Sequence, residues 1–106
     1  MIKEIDVHAL KDKLLIKEDF ILVDVRTDNE YYLSSIQGAM HISINDIPYR
    51  INDLDRDKEI VVQCKSGKRS AKACTFLLKN DFTNVKNLQG GILAWAKYID
   101  PSILVY

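Results

Sequence analysis

The sequence predicts an α/β fold, a three-layer sandwich in which helices flank a central, mostly parallel sheet of five strands. The runs FILVDV (residues 20–25) and EIVVQC (residues 59–64) are apolar without alternation, as in strands that are covered on both faces. Amphipathic helical patterns alternate with these runs and the connections are short. Successive strands are therefore expected to lie parallel to one another.

The first half of the chain supplies two helices and most of the strands. Besides the two dense runs, shorter strands are predicted at residues 2–5, 40–42 and 85–88. Asp6 is predicted to cap a first helix, because an aspartate side chain accepts hydrogen bonds from the first helical amides. The apolar stripe of that helix is predicted to contain Val7, Leu10, Leu14 and Leu15. Thr27 is predicted to cap a short second helix that runs through Leu33.

Two further helices are predicted in the second half of the chain. Ser70 is predicted to cap the first of them, over the segment AKACTFLLKN. Its buried face is expected to contain Ala71, Cys74, Leu77 and Leu78. The last helix is predicted after the pair Gly90 and Gly91. Its apolar side is expected to contain Ile92, Trp95 and Ile99.

Length, charge and cysteine content limit the class of protein. The 106 residues contain no linker, repeat or low-complexity segment, so a single domain over residues 1–106 is expected. Fifteen basic residues balance fifteen acidic ones, which gives no argument for a nucleic acid or an anionic membrane as partner. The amino-terminal segment carries charges throughout, unlike a secretion signal. With only two cysteines, a reduced, cytoplasmic setting is expected.

The segment CKSGKRS (residues 64–70, hereafter the Cys64 loop) has the composition of a reactive thiol site. Cys64 ends a strand, at the edge where parallel sheets bind ligands. Gly67 permits a positive φ, and the start of the following helix adds partial positive charge. Five basic residues and no acidic one lie between residues 64 and 79. Such surroundings favour a thiolate and an anionic substrate, although a cysteine at a strand end can also be a small core residue. Cys74 is predicted to be such a core residue.

Four segments in order resemble the rhodanese-like domain family over nearly the whole chain. They are the Cys64 loop, LVDVRTDNEY (22–31), SIQGAMHIS (35–43) and NLQGGILAWAK (87–97). The final segment, LAWAKYIDPSILVY (93–106), is most similar to rhodanese domains fused to ubiquitin-activating-enzyme-like adenylyltransferases that serve sulfur-carrier proteins. The resemblance implies a single-domain sulfurtransferase of the thiosulfate sulfurtransferase class.

The resemblance also implies roles for individual residues. Cys64 would be the catalytic nucleophile that carries a persulfide. Arg69 would help to bind the anionic donor, and Asp24 and Arg26 would form a supporting polar network. Glu30 is expected in a salt bridge or as a surface charge. The substrate-binding loop would consist of Lys65, Ser66, Gly67, Lys68, Arg69 and Ser70.

The expected reaction moves a sulfane sulfur from a donor to a nucleophilic acceptor through a persulfide on Cys64. The donor would be thiosulfate or a protein persulfide, a sulfur-carrier protein is a further possible partner, and no metal or organic cofactor is implied. A cysteine-dependent phosphatase is one alternative. Phosphatase loops of this kind place one more residue between cysteine and arginine, so the four residues between Cys64 and Arg69 favour sulfur. A non-catalytic interaction module is the other alternative.

Overall fold

The computed structural model describes residues 2–105, which contain one five-stranded sheet. In chain order the strands are β1 (Lys3–Ile5), β2 (Phe20–Asp24), β3 (Met40–His41), β4 (Glu59–Gln63) and β5 (Val85–Leu88). Their order across the sheet is β1-β5-β4-β2-β3, and every pairing within residues 2–105 is parallel. The central strand β4 therefore directs its carboxyl end, and Cys64 after it, to the same edge as its neighbours β2 and β5.

Helices cover both faces of this sheet. They are α1 (Val7–Leu15), α2 (Asp28–Leu33), α3 (Ile47–Arg50), α4 (Lys68–Lys79) and α5 (Gly91–Tyr98). One face packs against α1 and α5, and the other packs against α3 and α4. Alternate residues of β4 point to opposite faces, so that Val61 joins the first core and Ile60 and Val62 join the second. The predicted three-layer α/β sandwich is confirmed.

The capping predictions for the first two helices are confirmed. The Asp6 side chain accepts a hydrogen bond from the amide of Ala9 at 2.8 Å. Thr27 and Glu30 form a reciprocal capping box at the start of α2, in which each side chain accepts a hydrogen bond from the other residue's amide. None of the helices in residues 2–105 has the length and hydrophobicity that a bilayer span requires.

The start of α4 differs from the prediction. The helix begins at Lys68, and Gly67 occupies the N-cap position with a φ of 104°. Ser70 therefore lies inside the first turn, where its hydroxyl faces Cys64 and not the helix amides. The register of the buried face shifts with it: Leu78 is 38% exposed and Ala71 is only half-buried. The residues of α4 that are buried are Ser70, Ala73, Cys74 and Leu77.

Candidate active site

Cys64 lies directly after β4 and is 1% exposed. Its Sγ atom accepts two hydrogen bonds from the Cys64 loop, one from the amide of Gly67 at 3.1 Å and one from the hydroxyl of Ser70 at 3.2 Å. Gly67, whose amide donates to the sulfur, has a left-handed conformation that a residue with a side chain would adopt only with strain. The loop thus surrounds the sulfur with donors, as required for a site that holds negative charge.

The surroundings of Cys64 change its acidity in two opposing ways. Burial raises the pKa of the thiol, because a thiolate loses its hydration in the interior. Hydrogen bonds from the hydroxyl of Ser70 and from the amides of Ser70, Gly67 and Ser66 favour the thiolate. The hydrogen bonds outweigh burial, and the pKa of Cys64 is lowered from its usual value. Cys64 is consequently a stronger candidate for a nucleophile than for an inert core residue.

Asn87 on β5 connects the Cys64 loop to the sheet. Its side-chain amide nitrogen donates to the carbonyl oxygen of Gly67 at 3.0 Å and to a carboxylate oxygen of Glu4 at 3.1 Å. Its carbonyl oxygen accepts a short hydrogen bond from the hydroxyl of Ser70. Ser70 therefore lies between Asn87 and Cys64, and its single hydroxyl proton is shared between Asn87 Oδ1 and the sulfur of Cys64.

The beginning of α5 holds the other side of the loop. The amide of Ile92 donates to the carbonyl oxygen of Cys64 at 2.9 Å, and the amide of Leu93 donates to that of Lys65 at 3.1 Å. A Cβ atom on Gly91 would lie 2.5 Å from the same Lys65 oxygen, well inside contact distance. Gly91 is therefore required for the close approach of two backbone segments.

Arg69 makes a bidentate ion pair with Glu30. Nη1 and Nη2 of Arg69 donate to the two carboxylate oxygens at 2.7 and 2.9 Å, and the side chain remains one-third exposed. The expectation of a salt bridge at Glu30 is confirmed. Lys65 is half-buried and Lys68 is exposed, and neither forms a salt bridge with another described residue.

Asp24 and Arg26 form a buried ion pair at the end of β2. Their side chains are 0% and 1% exposed, and Arg26 donates from Nε and Nη2 to the Asp24 carboxylate, the latter at 2.7 Å. Nη2 also donates to the carbonyl oxygen of Ser34 at 2.6 Å. This pair ties β2 to the segment after α2, and it makes no hydrogen bond to Cys64. Its contacts are those of a structural network.

The comparisons with known proteins agree with this geometry. A family model described as "Rhodanese-like domain" matches residues 6–98. The chain belongs to the rhodanese-like family. This rhodanese-like domain is 39% identical to "Sulfurtransferase" of Allochromatium vinosum, over 97% of this chain and 96% of that protein. It is 45% identical to "Putative sulfurtransferase YtwF" of Bacillus subtilis, over 94% and 96% of the two chains.

A solved structure and a longer relative complete the comparison. The crystal structure of a rhodanese-like domain protein from Staphylococcus aureus superimposes with a TM-score of 0.86 at 32% identity, covering 99% of both chains. "Probable adenylyltransferase/sulfurtransferase MoeZ" of Mycobacterium tuberculosis is 36% identical over 93% of this chain, which covers 26% of that protein. The expected similarity to rhodanese domains of adenylyltransferases is thereby confirmed.

The second cysteine of this rhodanese-like domain is a core residue, as predicted. Cys74 is fully buried on α4, and burial raises the pKa of its thiol to about 12, with a smaller contribution from the nearby Cys64. It therefore remains protonated at neutral pH and is a poor nucleophile. Within residues 2–105, no group of three or more histidine, cysteine or acidic side chains is placed to hold a metal ion.

Two residues that hold the Cys64 loop were not predicted from the sequence. Asn87 is a polar residue in the strand VKNL, and a buried amide in a strand is a signal that it has a specific partner. Gly91 was expected only as the start of a helix. Both lie in the segment NLQGG, which therefore holds the Cys64 loop in place.

Proposed function

We propose that this rhodanese-like domain is a sulfurtransferase that carries a sulfane sulfur as a persulfide on Cys64. One observation supports the proposal above all others: the Sγ atom of Cys64 accepts hydrogen bonds from Gly67 and Ser70, and the pKa of its thiol is lowered. Thiosulfate and protein persulfides are the proposed donors. A thiol, cyanide or a sulfur-carrier protein is the proposed acceptor.

The proposed reaction has two displacement steps at sulfur. The Cys64 thiolate attacks the outer sulfur of the donor, a new S–S bond forms, and the bond within the donor breaks so that its electron pair leaves on sulfite or on the donor thiolate. The acceptor then attacks the outer sulfur of the Cys64 persulfide and releases the thiolate again. The charge of the Cys64 thiolate, present before the first step and restored by the second, lies near the amide of Gly67 and the hydroxyl of Ser70, which stabilise it without rearrangement.

The proposed setting of this chemistry is the cytoplasm. Cys64 and Cys74 are both free thiols, and a nucleophilic thiol functions only while it is kept reduced. No nucleic acid or membrane is part of the proposal, because the charges of the chain are balanced overall.

Intact-mass measurement tests the proposal directly. The reduced protein is incubated with thiosulfate or with glutathione persulfide, and one added sulfur atom is expected on the wild type and on Cys74→Ser. Cys64→Ser should gain none. Failure of the wild type to gain sulfur from either donor, or a gain that survives Cys64→Ser, would contradict the proposal. Hydrolysis of a phosphoester that is lost in Cys64→Ser would instead support the phosphatase alternative.

A further inference from the structure

Glu30 makes hydrogen bonds to residues of two different helices, at the start of α2 and in the first turn of α4. Its Oε1 atom accepts hydrogen bonds from the amide of Thr27 at 3.0 Å and from the hydroxyl of Thr27 at 3.1 Å, which closes the capping box of α2. The same carboxylate binds both terminal nitrogens of Arg69. The hydrogen bonds from Arg69, opposed by burial and helped by those from Thr27, lower the pKa of Glu30 to about 2. Glu30 is thus a fixed negative charge at neutral pH.

The cleft beside Arg69 contains little positive charge. Its volume is about 440 Å³, and it is lined by Arg69, Asp28 and otherwise uncharged side chains. Arg69 is the one cation among the described residues of that lining, and both of its terminal nitrogens donate to Glu30. Arg69, which the resemblance suggested for binding an anion, is therefore paired with a carboxylate from α2, whereas Lys65 and Lys68 form no salt bridge with another described residue.

The two classes of donor place different demands on the charges of the Cys64 loop. Attack of the Cys64 thiolate on thiosulfate brings together three negative charges, because thiosulfate is a dianion. Attack on a protonated persulfide, R–S–SH, involves only the charge of the thiolate. Each unneutralised charge in a partly exposed site raises the energy of the transition state. A neutralised arginine therefore disfavours the dianion much more than the persulfide.

We propose that Glu30 determines donor specificity: by pairing with Arg69 it disfavours dianionic thiosulfate and favours persulfide donors. This inference rests on the proposed sulfurtransferase function. In the favoured reaction the Cys64 thiolate forms a bond to the outer sulfur of R–S–SH, and the bond between the two donor sulfurs breaks. The products are the Cys64 persulfide and the thiolate R–S⁻, so atoms and charge balance without another reactant.

The substitution Glu30→Gln removes the negative charge of this side chain and keeps its hydrogen bond at the start of α2. Glutamine at this position of a capping box accepts the same backbone hydrogen bond, so α2 is expected to keep its start. Asp19→Asn is the matched control, because it also removes one negative charge. Asp19 is exposed and directly precedes β2, whereas α2 and Glu30 follow the other end of that strand. Urea denaturation of each full-length variant establishes that it is folded in the assay.

The measurement is the second-order rate at which sulfur is loaded onto Cys64, followed by intact mass with thiosulfate and with 2-hydroxyethyl persulfide, whose R group carries no charge, as separate donors. In Glu30→Gln the loading rate with thiosulfate should rise about three- to tenfold, a size typical of a partly exposed charge interaction, and the rate with the persulfide should stay within about twofold. Asp19→Asn should leave both rates within about twofold of the wild type. The double variant Glu30→Gln/Arg69→Gln should lose the gain with thiosulfate, because that gain requires the freed guanidinium.

The outcomes separate this inference from the function on which it rests. A wild type that loads sulfur, together with a Glu30→Gln variant whose ratio of thiosulfate to persulfide rates is unchanged or reduced, overturns the specificity role of Glu30 alone. A gain with thiosulfate that persists in the double variant overturns it as well, because Arg69 would not be involved. A wild type that loads no sulfur from either donor overturns both.

Discussion

Replacing Asn87 with alanine would remove the side chain that joins the Cys64 loop to the sheet. Asn87 is 3% exposed and donates to the carbonyl oxygen of Gly67 and to Glu4, while it accepts from the hydroxyl of Ser70. In the variant the Gly67 oxygen loses this donor inside the protein. Ser70 keeps the sulfur of Cys64 as its remaining acceptor. We therefore expect Asn87→Ala to destabilise the native state.

The size of the loss follows from the number and burial of these hydrogen bonds. Each of the two bonds inside the loop contributes about 1 kcal/mol. The Gly67 oxygen keeps a second donor, the amide of Ala71 at 3.2 Å, so no penalty for an unpaired carbonyl is added. The bond to Glu4 is partly exposed and adds less. The expected loss in the free energy of unfolding is about 2 kcal/mol. Domains of this size have about 5–15 kcal/mol, so the variant should still fold at 25 °C.

Urea denaturation measures this loss, with the fluorescence of the single tryptophan, Trp95, as the signal. With a slope of about 1–3 kcal/mol per molar urea, the midpoint should fall by about 1–2 M. Asn84→Ala is the matched control, because Asn84 is exposed at the start of the same segment and its replacement should change stability by less than about 0.5 kcal/mol. If the two variants have the same midpoint, the reasoning that assigns Asn87 a supporting role is refuted.

Three further predictions concern the same site. Ser70→Ala removes a hydrogen bond that favours the Cys64 thiolate, so the pKa of Cys64 should rise. The rate of Cys64 alkylation by iodoacetamide, measured against pH, should then have its midpoint at a higher pH than in the wild type, and an unchanged midpoint would contradict this. Gly91→Ala should lower the free energy of unfolding by more than about 3 kcal/mol, measured by heat or urea, because its Cβ would overlap the carbonyl oxygen of Cys64. Gly38 also has a positive φ, but a Cβ there would meet no atom within 4 Å, so the control Gly38→Ala should cost only about 1 kcal/mol. The pKa of Glu30 is about 2 in the folded state and about 4.3 in an unfolded chain, so the stability from its ion pair is present above pH 4.3 and lost as pH falls toward 2. Urea midpoints between pH 5 and pH 2 should fall less in Glu30→Gln than in the wild type.

Local signals in the sequence were sufficient for the sheet and for most helix starts. The apolar runs that became β2 and β4 lack alternation because both faces of these strands are buried, which is a property of the strand itself. Asp6 and Thr27 were identified as caps because a cap contacts residues within one turn. The short helix α3 with its flanking 3₁₀ turns was not predicted, since its four residues give too short an apolar pattern.

The contacts around Cys64 could not be predicted from the sequence, because they join residues that lie far apart along the chain. Ser70 has the composition of a cap, but its hydroxyl is used by Cys64 and Asn87, and Gly67 takes the cap position. Tertiary contacts thereby override a local preference. Arg69 was expected to face an anionic donor, and the sequence contains no spacing rule that pairs it with Glu30, which precedes it by 39 positions.

The residues that hold the Cys64 loop also determine when the thiol acquires its reactivity. Asn87 and the first amides of α5 follow Cys64 by more than 20 positions in the chain, so they are synthesised after it. While the chain is being made, Cys64 has emerged without the partners that fix its loop and has the acidity of an ordinary cysteine. The low pKa is therefore a product of completed folding, and an incomplete chain is spared the side reactions of an exposed thiolate.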